Sequence, residues 1–380
     1  MKKRVNGEGS WYQYPKTGVY RLRVYYDDIG TQDFYGADKQ ICTAKKEEFE
    51  SLRKKGFDVK SDAPAFDVFA RSWLKNVKMI QLKPGSYDRI ETTFEKHLIP
   101  VIKDTPLNKI DDFVIQADII NKMQDMGLSY STIKKAYDGL NEIFRYAIAK
   151  KKMIDNPMGL VVLPNKDMFE EKEIIYWSQQ ERMAFMDACY STYTNGRRRY
   201  SFSSIFIFCL CTGCRIGEAL SLKHNEIDYE KRTALIDSTV VTIKDRKRKC
   251  LVKLDQQSTK RNGQRIIYVP DKAFEAIADA KKQLGWDTDG YVFHTKDGDS
   301  IGIATVQKAF YAILSVAGLP KCGTHTMRHT FVSLALQNNV PLVAIADQIG
   351  HANPGITSKT YAHLLEEARA SSMTVFNKMA

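Results

Sequence analysis

The spacing of apolar residues changes twice along the chain, and each change demands a different kind of fold. Residues 18–25 (Gly-Val-Tyr-Arg-Leu-Arg-Val-Tyr) alternate with period two, which sets Tyr20, Leu22 and Val24 on one face of a strand and Arg21 and Arg23 on the other. Asp27-Asp28-Ile29-Gly30 reads as a turn, Thr31 to Tyr35 as the return strand, and residues 43–55 as a helix capped by Thr43 and ended at Gly56. After a linker-like stretch from Asp58 to Ala65 the period becomes helical, with Phe66, Phe69, Ala70, Trp73 and Leu74 on one face. Further helices are expected over about 86–98, stopped by Pro100, then over 111–126 and 131–151, a four- or five-helix bundle closed by Asn156-Pro157. A charged linker follows over 163–172. Beyond 175 the pattern is mixed and mostly helical: it opens on the capping box Ser178-x-x-Glu181 and holds strands near 233–243, 249–254 and 265–270.

The expected fold class is therefore multidomain, mainly α with small β elements. It comprises a three-stranded sheet plus one helix over 1–57, a helical bundle over 66–163, and a mixed α/β, mostly helical domain over 175–380. A chain of 380 residues accommodates two or three domains of ordinary size.

Charge says what such a chain would meet. Lys and Arg number 57 against 45 Asp and Glu, a formal charge of +12. The window 244–265 alone holds nine basic groups, Lys244, Arg246, Lys247, Arg248, Lys249 and Arg261 among them, against Asp245 and Asp255. A local cluster of that kind points to a polyanion. No run of about 18 uncharged apolar residues occurs, which excludes a membrane-spanning helix. Met1-Lys2-Lys3-Arg4 is followed by no apolar stretch, so no secretory signal is expected, and the seven cysteines are expected to be reduced thiols in an intracellular protein. Cys211-x-x-Cys214 has the spacing of a metal or redox pair. Its surroundings, Phe206 to Cys211, read instead as a buried apolar helix, and no second pair follows at zinc spacing.

Four segments carry chemistry, and each alone has a bland reading. In Thr212-Gly213-Cys214-Arg215-Ile216-Gly217-Glu218, Gly213 permits a sharp turn and Arg215 and Glu218 share a helical face, as a salt bridge also would. Between two strands, Asn262-Gly263 signals a hairpin that places Lys260 near its tip, where a solvated lysine is the default. His325-Thr326-Met327-Arg328 puts a proton-trading imidazole and a phosphate-matching guanidinium on one face, as a structural histidine beside a paired arginine would. Gly350-His351 and Asn353-Pro354-Gly355 break helices before Tyr361, and a lone tyrosine usually packs. Together they give the order Arg, Lys, His-x-x-Arg, His, Tyr within about 150 residues, the groups needed to break a phosphodiester without a metal. Two guanidiniums neutralise non-bridging oxygens, a phenol attacks, and a lysine protonates the departing 5′ oxygen.

On these segments the chain resembles the tyrosine recombinase (phage integrase) family. Thr-Gly-Cys-Arg215-Ile-Gly-Glu218 is similar to its first-arginine box, Thr259-Lys260 with Arg265-x-Ile267-x-x-Pro270 to its lysine segment, and His325-Thr-Met-Arg328 to its His-x-x-Arg box, with Met327 where Leu is commoner. Gly350-His351 and Thr360-Tyr361-Ala362-His363 are similar to the final box. The resemblance implies that Arg215 and Arg328 clamp the scissile phosphate, with His325 as base or hydrogen-bond partner. Lys260 would be general acid, His351 would assist at the phosphate, Glu218 would orient the site, and Tyr361 would form a 3′-phosphotyrosyl link. It implies a site-specific recombinase that integrates and excises a mobile element as a homotetramer on two double-stranded DNA sites. Neither metal nor ATP nor any other cofactor is expected: the chain has no phosphate-cradling Gly-x-x-x-x-Gly-Lys-Ser/Thr loop and no dense carboxylate cluster.

The bundle resembles the family's core-binding domain and residues 1–57 the arm-binding domain of phage and conjugative-transposon integrases. Arg21 and Arg23 would then face DNA, as would Lys244, Arg246, Lys247, Arg248, Lys249 and Arg261. An excisionase or a host DNA-bending protein is a further expected partner, and the bacterial cytoplasm, at the nucleoid, the expected place. The tail, with Leu364, Leu365, Ala368, Val375 and Phe376, reads as a short helix that docks on a neighbouring protomer or packs on its own domain. Competing readings are a dimer resolvase, which usually lacks residues like 1–56, a type IB topoisomerase, a DNA-binding regulator with a dead site, and an RNA- or polyphosphate-binding protein.

Overall fold

The computed structural model describes residues 9–15, 17–55, 63–170, 173–196, 198–246, 250–257, 264–285, 289–351, 355, 358 and 361. Two units make up the chain, Met1–Glu170 and Glu171–Ala380.

The first unit opens with an antiparallel sheet of β1 (Ser10–Gln13), β2 (Tyr20–Tyr26) and β3 (Gly30–Gly36) in sequential order. Period two delivers the expected faces: Leu22 and Val24 are buried with Phe34 and Cys42, beneath α1 (Lys39–Lys54). That helix starts a turn earlier than Thr43 suggested. The Asp38 carboxylate accepts from the Ile41 N–H at 2.8 Å and caps it, whereas the Thr43 hydroxyl donates back to the Lys39 carbonyl at 3.0 Å. Gly56 lies outside the described residues.

The bundle has four main helices: α2 (66–81), α3 (84–102), α4 (112–125) and α5 (Tyr130–Ala149). Its core includes Phe66, Trp73, Phe94 and Phe144, with the Phe66 and Phe94 rings stacked at 6.3 Å. Pro100 does not stop α3. A π-turn over Phe94–Leu98 sends the Ile99 N–H to the Phe94 carbonyl, and the register shift leaves Pro100 in a new first turn, where its missing N–H has no partner to lose.

In the second unit, α6 (Gln179–Cys189) begins with the expected box: the Ser178 hydroxyl accepts from the Glu181 N–H, and the Glu181 carboxylate accepts from the Ser178 N–H at 2.8 Å. Next comes α7 (Ser204–Thr212), apolar on every face and buried almost throughout, so it is the central helix of this unit. Around it pack α8 (Ile216–Ser221), α9 (Asp271–Leu284), α10 (Ile303–Val316), α11 (His325–Gln337) and α12 (Leu342–Ile349). Trp177, Phe185, Phe206 and Phe310 form the aromatic heart of its core. Cys209 and Cys214 sit in that core as small hydrophobes, with both thiols pushed up by burial.

The strands pair differently from the expectation. The run near 233–243 breaks at Asp237 into β5 (Thr233–Ile236) and β6 (Ser238–Asp245), and the two halves take different partners. β6 forms a hairpin with β7 (Cys250–Gln257), starting from Asp245 opposite Cys250, while β5 lies between β4 (Ile227–Asp228) and β8 (Arg265–Tyr268). β7 and β8, the strands on either side of the expected turn, are not paired with each other and belong to separate sheets. Residues 258–263, with Lys260, Arg261 and that dipeptide, lie outside the described residues, as do Lys247, Arg248, Lys249 and the tail 362–380. Among the described residues no helix is long and apolar enough to cross a membrane.

Candidate active site

Gly213 ends α7 in the left-handed conformation (φ 73°), where a β-carbon would meet the Phe331 ring at 2.6 Å. The turn it makes delivers Arg215 to the start of α8. Arg215 is not on the helical face the sequence suggested. It is the residue before the first turn, extended at φ −70° and ψ 148°, and its backbone N–H donates to Glu218 at 2.9 Å.

Glu218 is the electrostatic centre of this corner. Its Oε1 accepts from Arg215 Nη1 at 2.8 Å and Arg265 Nη1 at 3.2 Å; its Oε2 accepts from Arg265 Nη2 at 2.7 Å as well as from that backbone N–H. Burial alone would raise its pKa, but the hydrogen bonds and charge of Arg265, then of Arg215, hold it down at about 2. Arg265 also donates to the Gln348 carbonyl at 3.0 Å. Gln348 in turn clamps β8 through both polar atoms of its side chain: Oε1 accepts from the Tyr268 N–H at 3.0 Å and Nε2 donates to the Tyr268 carbonyl at 2.9 Å. The end of α12 is thereby fixed to β8. Gly350 (φ 70°) completes the joint, because a β-carbon there would meet the Arg265 guanidinium at 2.8 Å.

The expected acid behaviour follows from the depressed Glu218 pKa. Its ordinary value is 4.5, so its stabilisation of the fold is fully present above pH 4.5 and lost as pH falls towards about 2. A depression of that size corresponds to about 3 kcal/mol. Glu218→Gln, which leaves two guanidiniums without their anion, is expected to lower unfolding free energy by about 3–5 kcal/mol at pH 7 and to abolish this acid limb. Urea denaturation of both proteins between pH 2 and 7 measures it.

Arg328, on α11, is 5% exposed. Its Nη1 donates to the Gly213 carbonyl at 3.0 Å, and its Nη2 is buried with no hydrogen-bond partner among the described residues. Burial, then repulsion from Arg215, pulls this guanidinium down to about 10. A buried cation with an open N–H, beside further guanidiniums, is a site for an anion. His325, at the start of α11, is held below its ordinary pKa first by partial burial of its ring and then by Arg215 and Arg328. His351, just past α12, is lowered to about 4 by burial and then by Arg328, Arg215, Arg265 and His329. All of these groups therefore feel one another's charge, although they come from four separate stretches of sequence.

Tyr361 is 2% exposed and packs with Val332, Leu336, Ile345 and Ile349. Burial raises its phenol to about 12, with Arg328 acting in the opposite direction. Its hydroxyl lies 2.5 Å from Nδ1 of His329.

The structure thus brings Arg215, Glu218, His325, Arg328, His351 and Tyr361 into one corner of the second unit, while Lys260 lies outside the described residues. Of the expected DNA-facing residues, Arg21 stacks over Tyr12 and Tyr14 at 5.4 and 6.0 Å, and Arg23 pairs with both oxygens of Asp33 at 2.7 Å. Lys244 and Arg246 are at the end of the β6–β7 hairpin. Three residues of the corner had no role in the sequence reading. Arg265 stood inside a quoted segment and His329 directly after one, one turn beyond His325, and both could have been flagged by position; Gln348 carried no local signal. Among the described residues no three His, Cys, Asp or Glu gather as metal ligands.

The model of the Phage integrase family matches residues 177–368, and that of the phage integrase N-terminal SAM-like domain matches 65–124. A tyrosine recombinase XerC-like protein of Caldanaerobacter subterraneus is 26% identical over the full length of both chains. The transposase of transposon Tn916 from Enterococcus faecalis is 25% identical, over 96% of this chain and 93% of its own. Among solved structures, the Tn1549 transposon integrase in complex with a circular intermediate DNA superposes with a TM-score of 0.64 at 17% identity, over 81% of this chain and 99% of its own. A lambda integrase tetramer bound to a Holliday junction gives 0.57 at 16% identity, over 94% and 96%.

Proposed function

The chain belongs to the phage integrase family of tyrosine recombinases, site-specific recombinases that integrate and excise mobile elements, and from that premise we propose how its own residues cut and rejoin DNA. The observation that carries the reading is the buried Arg328 guanidinium, open on one N–H, close enough to Arg215 and Tyr361 for their charges to interact. A phosphodiester seated there receives two guanidiniums on its non-bridging oxygens, and their field strengthens as charge builds in the transition state. His325 and His351 donate to the same oxygens. Tyr361 attacks phosphorus, Lys260 gives its proton to the 5′ oxygen as that bond breaks, and the 3′-phosphotyrosyl link keeps the bond energy for rejoining. The arginines supply the positive charge that a metal ion supplies in other phosphoryl transfers, so the reaction runs without metal or ATP.

Residues 1–57 act as the arm-binding domain, 66–163 as the core-binding domain and 175–380 as the catalytic domain. The partner is double-stranded DNA, engaged at core and arm sites by a homotetramer, with an excisionase or a DNA-bending protein setting direction. Arg21 and Arg23 on β2, with the basic run 244–249 and Arg261, contact phosphates. Each such contact contributes about 0.9 to the slope of log affinity against log salt. Lys244→Ala and Arg246→Ala are each expected to reduce that slope by about 1, as read by fluorescence anisotropy from 50 to 300 mM salt.

The test is covalent trapping. The protein is incubated in EDTA with duplexes tiled across the DNA flanking its own gene, then quenched in SDS. An adduct that forms in EDTA and yields phosphotyrosine on digestion is the expected result. Tight binding with no adduct on any duplex sinks the reading in favour of a DNA-binding regulator.

A further inference from the structure

A tyrosine that attacks phosphorus must lose a proton, and neither the arginines nor the lysine that serves the leaving group takes it. The hydroxyl of Tyr361 already has a partner: Nδ1 of His329 at 2.5 Å, with the two ring centroids 5.8 Å apart. His329 follows Arg328 directly on α11, so the group that meets the nucleophile and the group that awaits the phosphate sit on neighbouring residues. The Tyr361 ring is locked among Val332, Leu336, Ile345 and Ile349, which leaves its hydroxyl directed at this imidazole.

We propose that His329 is a catalytic residue, the general base that receives the phenolic proton of Tyr361 as its oxygen bonds to phosphorus. The proposal rests on Tyr361 being the nucleophile. As the Oη–P bond forms, the O–H electron pair stays on oxygen and the proton passes to Nδ1. As the P–O5′ bond breaks, the 5′ oxygen takes a proton from Lys260. In rejoining, the 5′-hydroxyl attacks phosphorus and returns its proton to Lys260, while the departing phenolate recovers its proton from the His329 imidazolium.

The surroundings fit a base that stays ready. Burial, then His325 and Arg328, lower His329 to about 4, so its imidazole is neutral at pH 7 with a lone pair to offer. The groups around it are His325 and Arg328 on its own helix, His351 beyond α12, and Tyr361, against whose apolar cluster Tyr176 packs from the segment before α6. A bound phosphodiester offsets the positive field of Arg328 and His325, which brings the imidazolium within reach only when substrate is present.

The experiment measures single-turnover adduct formation on the duplex that wild type cleaves, for His329→Asn, His329→Ala and Tyr361→Phe. Asn places an amide oxygen where Nδ1 was: it keeps a hydrogen-bond acceptor but takes no proton. Both His329 variants are expected to bind the duplex as wild type does and react about 10²-fold or more slowly, the ordinary scale of a general base. The His329→Ala rate should rise with pH by close to tenfold per unit relative to wild type, because ionisation in water then replaces the base, and imidazole should restore part of it. A sulfur in place of the bridging 5′ oxygen, which leaves without a proton, should rescue Lys260→Ala and leave the His329 defect in place. Wild-type speed for His329→Asn would reduce the residue to a positioning role, and faster reaction of His329→Ala would mean the contact only restrains Tyr361; either overturns the proposal, as does rescue by sulfur. An adduct that survives in Tyr361→Phe removes the nucleophile assignment itself, a failure distinct from the other three.

Discussion

Tyr361→Phe is expected to bind duplex DNA with wild-type affinity and to form no covalent adduct and no recombinant product. The loss is complete because no other hydroxyl replaces the attacking atom; acid, base and phosphate clamp remain in place with nothing for them to activate. The fold should survive. The ring is 2% exposed among Val332, Leu336, Ile345 and Ile349, and phenylalanine keeps all of that apolar contact. What disappears is one hydroxyl and its hydrogen bond to His329, a cost of about 1 kcal/mol. A mobility-shift titration, an SDS gel and a melting curve on the same preparation test the three parts together. Residual adduct would show that a different residue attacks, and a large fall in melting temperature would show that the hydroxyl also holds the end of the chain in place.

Arg328→Lys should reduce cleavage by about 10²–10³-fold while leaving the protein as stable as wild type, or more so. Lysine keeps the charge but not the fork that reaches the Gly213 carbonyl and a phosphate oxygen at once. The stability half of the prediction comes from the free site. Wild-type Arg328 is buried, carries an N–H with no partner among the described residues, and is pulled down to about 10 by burial and by Arg215. A guanidinium so placed is strained without its anion, and a shorter, more adaptable cation relieves part of that strain. Single-turnover rates beside urea melts separate the two effects. Equal cleavage by Lys and Arg at this position would mean that charge alone, not geometry, holds the phosphate.

Histidine protonation adds a milder acid sensitivity. His329 and His351 have folded pKa values of about 4 against an ordinary 6.5, so the stability from burying them neutral is present above pH 6.5 and lost as pH falls towards 4. Bound DNA should raise both folded values towards 6.5 and so shrink this loss, which moves the acid-unfolding midpoint to lower pH, because phosphate offsets the cations that hold the imidazoles neutral. A coincident midpoint with and without duplex would contradict it.

Much of this was legible in the sequence because the signals are local. Period two at residues 18–25 gave Leu22 and Val24 to the core, helical spacing from Phe66 gave the bundle, and Ser178 with Glu181 marked a helix start to the residue. The candidate site was legible for the same reason: Arg215 with Glu218, and His325 with Arg328, lie three residues apart, so their residue types and spacing are readable before folding. Where local rules competed, the sequence misled. Thr43 and Asp38 are both cap formers, and Asp38 won because its carboxylate reaches the Ile41 N–H. Pro100 ordinarily breaks a helix, but the π-turn ahead of it shifted the register until its missing N–H cost nothing.

The tertiary structure alone decided the partnerships that span long separations. Nothing near Asn262-Gly263 indicates that β8 belongs to β5 while β7 belongs to β6, because strand choice depends on which edges the rest of the fold leaves open. Nor does spacing indicate that Arg265 shares the carboxylate of Glu218, that Gln348 is bonded to Tyr268, that Arg328 reaches the carbonyl of Gly213, or that the hydroxyl of Tyr361 rests on His329. The sequence by itself determined which side chains are available for the proposed chemistry. Their distances, burial and pKa values belong to the fold, because Coulomb energy and desolvation depend on separation in space, and separation along the chain does not set it.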